Sequence, residues 1–211
     1  MTSGASRRPP APRRRRAAPV GVRQPRRPRT ARGPATVQAV VEHYIANVRE
    51  VACERLAYYA EQPSLEHALA VVASWLDHDG KVEVHQRRLR HDVKRDAGER
   101  IRALDIRQAM TFEAVFRAVD DALGGIRGLG ELAIYDVSLR LAAVLGLPPE
   151  RVYLHRGSRA GAQALGIRTR ERSLPVDAFP PEFRRLHGWE IENLLCLYAK
   201  ALARIGGRRA A

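Results

Sequence analysis

From Thr36 onward apolar residues recur at three- and four-residue steps, beginning Val37, Val40, Val41, Tyr44, Ile45, Val48 and continuing through Val51, Ala52, Leu56 to Tyr59. A period near 3.6 places such positions on one face of a helix, so the pattern predicts one long helix ending near Pro63. Ser64 then precedes a second stripe, Leu65, Ala68, Leu69, Val72 and Leu76, which the run Asp77-His78-Asp79-Gly80 stops. A serine just before an apolar-periodic run is an N-cap signal. Lys81 to Leu104 is rich in charge and poor in apolar residues, which predicts an exposed helix pair or loop.

The second half is more regular. Thr111 caps a stripe of Phe112, Val115, Phe116, Val119 and Leu123, and after a glycine turn Glu131 to Gly146 reads as the next helix. Leu147-Pro148-Pro149-Glu150 suits the start of another helix, carrying Arg151 to Leu165, because proline is tolerated in a helix's first turn. Trp189 to Ile205 gives a last amphipathic helix. No run alternates with the two-residue period of a strand, so the fold expected is all-α, a bundle-like helical domain.

Charge changes the picture at one end. The chain of 211 residues carries a formal net charge of +14, and residues 1–35 hold eleven arginines and no acid, leaving about +3 for the other 176. With proline, arginine and small residues and almost nothing to bury, this segment predicts a disordered basic arm. The domain organisation expected is therefore an arm over 1–35 and one all-α domain over 36–211, its N-terminal helices in 36–104 and its glycine turn in 105–211. An arginine-rich arm suits nucleic acid, where each neutralised phosphate releases counterions. No stretch has the length and apolarity of a membrane span, and no apolar stretch follows the arginines as in a signal peptide. A cytoplasmic protein with no membrane partner is expected. Cys53 and Cys196 each lie in an apolar helical pattern and read as reduced core residues.

The glycine turn, Gly125-Ile126-Arg127-Gly128-Leu129-Gly130, is neither a dinucleotide fingerprint nor a P-loop. A helix precedes it, the glycine order is wrong, and no Gly-Lys-Ser/Thr follows. Leu123, Ile126, Gly128, Leu129 and Gly130 instead stand in the order hydrophobic-x-x-hydrophobic-x-Gly-hydrophobic-Gly. This resembles the helix-hairpin-helix motif of DNA-binding proteins. The resemblance implies a tight turn with positive φ at its glycines, Gly130 included, and amides at the second helix's start that hold a backbone phosphate. Ile134 stands where the motif usually has a small residue, and Glu131 where a basic or small residue commonly follows.

The stretch from Val152, Val-Tyr-Leu-His-Arg-Gly, is similar to a segment of helix-hairpin-helix base-excision glycosylases. His155 matches their histidine, Tyr153 takes the place of their aspartate, and no lysine lies in the turn to form a Schiff base. Gly128–Asp136, Val152–Gly157 and Glu190–Tyr198 also look similar to an uncharacterised family of small bacterial proteins. Together these features imply a non-enzymatic nucleic-acid-binding protein with no cofactor and no metal, DNA being the favoured partner over RNA. The residues expected at the nucleic acid are Arg127, Gly128, Gly130, His155, Arg156, Arg159, Arg168 and Arg170. Two other readings stay open. One is a repair-type enzyme, either base-excision-like or a metal phosphohydrolase built on His67, His85, His91, Asp92 and Asp77 or Asp79. The other is a helical adaptor whose apolar stripes bind a protein partner or a second copy.

Overall fold

The computed structural model describes residues 34–209, with side chains through 207. The arginine-rich segment 1–33, and with it the expectation of a disordered arm, lies outside the described residues. The described chain is all-α apart from one short two-stranded sheet. Eight helices are described: α1 (Val37–Asn47), α2 (Arg49–Ala60), α3 (Leu65–Ala73), α4 (His91–Arg102), α5 (Phe112–Leu123), α6 (Glu131–Val144), α7 (Arg156–Ala164) and α8 (Gly188–Arg209). Ser64 and Thr111 each accept a backbone amide from three residues on, so these hydroxyl caps stand where the sequence put them, and Thr36 caps α1 in the same way.

The single long helix expected from Val37 to Tyr59 is two helices. Val48 leaves helical geometry at φ −126° and ψ −39°. The reason lies in packing, because the two parts of the stripe cover different cores. Val40, Val41 and Tyr44 of α1 join Ile191, Leu194 and Leu195 of α8, together with Phe183. Tyr59 of α2 joins a second cluster built on α3, α4, α5 and α6, with Phe112, Val115, Leu123 and Leu141 inside it. A straight helix could not serve both.

Lys81 to Leu104 is likewise more ordered than its charge suggests. A 3-10 turn (Val84–Arg88) precedes α4, whose narrow stripe of Val93, Ala97, Gly98 and Ile101 is buried while its arginines face out. Gln86 donates to Asp136 at 2.7 Å, and Arg140 pairs with Glu83 at 3.1 Å, fastening this segment to α6.

The chain after Pro149 differs from expectation. Arg151–Tyr153 is not helical but forms β1, paired antiparallel with β2 (Ser173–Pro175). Three residues are too few to show alternation in sequence, and the partner lies about twenty residues away. Alternation is nevertheless what the strand does, since Val152 enters one core cluster and Tyr153 the other. Two 3-10 turns, Val176–Ala178 and Pro181–Arg185, lead from β2 to α8. Helices α7 and α8 cross closely at Gly161, where a Cβ would lie 2.3 Å from the Leu195 carbonyl oxygen. Among the described residues no helix is long and apolar enough to cross a membrane.

Candidate nucleic-acid interface

Helices α5 and α6 pack against each other, joined by Gly124–Gly130. Ile126 and Leu129 turn inward, 7% and 9% exposed, and anchor the connection in the core beneath it. The Ile126 amide donates to the Leu123 carbonyl and the Leu129 amide to that of Ile126, so the connection is a pair of tight turns. Positive φ falls at Gly128, at +97°, where the chain passes over Val93 of α4. It does not fall at Gly130, which was expected to share it. Gly130 is extended at φ −100° and ψ 169°, because it serves as the N-cap of α6.

This cap has no side chain to give. The Ala133 and Ile134 amides donate to the Gly130 carbonyl, while among the described residues the amides of Gly130, Glu131 and Leu132 find no acceptor. A Cβ placed on Gly130 would meet nothing within 4 Å, so the space at the cap residue itself is open. Unpaired amides at a helix start, reinforced by the helix dipole, attract an anion. Arg127 is exposed beside them. Glu131 is exposed as well and opposes an anion, although Arg159 from α7 comes within 3.8 Å of its carboxylate.

That ion pair is what brings the second group of expected residues next to the first. His155 is the N-cap of α7, and it faces inward, 4% exposed. Its Nδ1 accepts the Gly157 amide at 3.2 Å, and its Nε2 bonds to the buried carboxylate of Glu192 on α8. The Ser158 hydroxyl completes the cap by accepting the His155 amide at 3.0 Å. Arg159 donates to the carbonyls of Leu154 at 2.9 Å and Glu171 at 3.2 Å, tying the loop after α7 back onto its start. Arg156, Arg168 and Arg170 are exposed. His155 and Arg159 therefore build the frame, whereas Arg127, Arg156, Arg168 and Arg170 present charge to solvent.

Tyr153, at the position where the glycosylase-like segment would carry aspartate, packs among Phe112, Phe116 and Tyr135, and its hydroxyl donates to Glu113 at 3.3 Å. Arg172, which sequence reasoning missed, lies over the Phe116 ring and pairs with Asp120 at 2.6 Å. The recess between Tyr153, Tyr135, His155 and Arg172 has room for about 10 Å³, the scale of one water.

The metal-phosphohydrolase set is not assembled. Asp92 is paired with Arg90, Asp79 with Lys81, and Asp77 Oδ1 accepts the amides of Asp79 and Lys81. Among the described residues the one group whose ligating atoms converge, within 4.8 Å, is His155, Glu192 and Cys196. Glu192 was not foreseen. Burial pushes its carboxyl upward and Asp136 adds to that, while the hydrogen bond from His155 pulls it back. With Nδ1 accepting the Gly157 amide, the ring proton sits on Nε2, toward Glu192. A cation on Nε2 needs the opposite tautomer, so the triad is arranged around a proton. The Tyr135 hydroxyl, buried nearby, has no hydrogen-bond partner among the described residues. Of the two cysteines expected in the core, Cys196 is half-buried but Cys53 is exposed on α2.

No family model matches this chain, and neither a curated protein nor a solved structure matches it.

Proposed function

We propose that this protein binds nucleic acid without catalysing a reaction on it. The start of α6 takes a backbone phosphate, Arg127 adds charge at the same edge, and the arginines of residues 1–35 supply long-range attraction. The observation that carries this reading is the start of α6, which has no side-chain cap and where, among the described residues, three amides lack acceptors behind a turn anchored by Ile126 and Leu129. Phosphate contacts of this kind position a protein without reading sequence. Resemblance of the turn to the hairpins of DNA-binding proteins favours DNA over RNA, and such a role belongs in the cytoplasm. Arg156, Arg168 and Arg170 extend the basic edge, and His155 holds α7 in place to present it.

Gly130→Asp tests the reading, because its effects on folding and on binding have opposite signs. Aspartate is a strong N-cap and favours a helix dipole's positive end, so the variant should melt no lower than the parent. Its carboxylate fills the place of the phosphate and repels it. Affinity for a short DNA duplex at low salt should therefore fall about tenfold, the equivalent of roughly 1.4 kcal/mol. The salt slope should change little, since the arm supplies most of the counterion release. A folded Gly130→Asp protein that binds DNA as tightly as the parent overturns the proposal.

A further inference from the structure

An open groove of about 300 Å³ runs between α2, the end of α6 and the loop after it. It is lined almost wholly by apolar side chains, among them Leu56, Ala57, Leu139, Leu147 and Trp189, with the Cys53 thiol at its edge. The groove has an acidic flank. Glu50, Glu54 and Glu61 lie three or four positions from the lining residues Cys53 and Ala57, which sets them along one border of the same helix face. All three are exposed, and none has an ion-pair partner among the described residues. Glu150 is exposed just beyond Pro148 at the groove's end.

One segment of this chain has the matching pattern. Ala17-Ala18-Pro19-Val20-Gly21-Val22 is an apolar hexapeptide bounded by Arg13–Arg16 on one side and by Arg23, Arg26 and Arg27 on the other. We propose that this hexapeptide docks in the groove of its own chain, with the bordering arginines against Glu50, Glu54 and Glu61. The apolar run matches the apolar floor and the arginines match the carboxylates, on a domain whose remaining charge is itself slightly positive. Reach is sufficient, since the twelve residues from Val22 to Pro34 span up to about 40 Å when extended, more than the lengths of α1 and α2 laid end to end, about 35 Å. Tethering raises the segment's effective concentration to roughly the millimolar range, so a modest contact is enough to fill the groove. Pro19, with φ already fixed, lowers the ordering cost. Docking holds the arginines against the domain until a stronger polyanion competes, but the contact itself stands whether or not the protein binds nucleic acid.

Cys53 reports on the groove directly. At low ionic strength the full-length protein is treated with iodoacetamide, and alkylation of Cys53 is followed by mass spectrometry of its peptide, apart from that of Cys196. Val20→Ser with Val22→Ser, which leaves the charges around the thiol unchanged, should raise the Cys53 rate about fivefold. Glu50→Gln, Glu54→Gln and Glu61→Gln together should do the same, with circular dichroism unchanged for both proteins. Protection in the parent should not vary with protein concentration. Equal rates in the parent and the valine variant overturn the proposal, and so does protection that grows with concentration, which would place the hexapeptide on a second copy.

Discussion

Tyr135 and Glu192 show how the same burial acts on two polar groups. Tyr135 is 3% exposed and its hydroxyl is unpaired among the described residues, so it is buried without a protein hydrogen bond. Removing an unsatisfied buried hydroxyl is close to neutral. Tyr135→Phe should therefore change stability by no more than about 1 kcal/mol in denaturant unfolding, with a gain more natural than a loss. A loss above about 2 kcal/mol would mean that the hydroxyl has a partner. Glu192 has its bond from His155, yet burial still holds its carboxyl above the ordinary 4.5. A folded form with a raised value keeps its proton more tightly than the unfolded chain. Its contribution is present in full below pH 4.5 and is lost as pH rises through the elevated range. Glu192→Gln removes that dependence. The melting temperature of the parent should fall relative to Glu192→Gln as pH rises above 4.5, and a relative gain would contradict the assignment.

At the scale of elements, the two glycines of the turn divide their work. Gly128 supplies the positive φ and Gly130 the open cap, so substitutions at the two positions should behave differently. Gly128→Ala should cost about 1–2 kcal/mol, because a Cβ is strained at φ +97°. Gly130→Ser should cost nothing and can add a capping bond. Equal destabilisation at both sites would show that the turn is not built this way. Sequence alone made the capped helices legible, since Ser64 and Thr111 act through residues three positions away. It could not distribute positive φ between neighbouring glycines, because both permit it. β1 and the break at Val48 were also hidden, as each answers to a partner far along the chain. Glu192 was hidden for another reason. On the pattern of α8 it reads as a surface carboxylate, but residues 188–192 are buried all round. Exposure of Arg127, Arg156, Arg168 and Arg170 is what their charge leads one to expect, whereas the burial of His155 is not, because its neighbourhood is set by α8.

Across the described residues, two apolar clusters meet along β1, and the turn joins the end of α5 to the start of α6. The cluster containing α3 through α6 fixes Ile126 and Leu129 and thus the direction of the α6 amides. The other fixes α7 through its crossing with α8, and Arg159 reaches from there to Glu131. The start of α6 thus stands between these two supports. Nucleic acid held as proposed is felt at those amides and not only through the basic segment.

Amide resonances therefore test the central claim most directly. A short DNA duplex is titrated at low salt into the full-length protein, isotopically labelled, and the backbone amide shifts are followed residue by residue. The expected result is saturable movement at Gly130, Glu131 and Leu132, with Arg127 beside them and little change across the core of α8. Movement confined to residues 1–35 at saturation, with the amides at the start of α6 unmoved, would contradict the account and leave the turn a packing device.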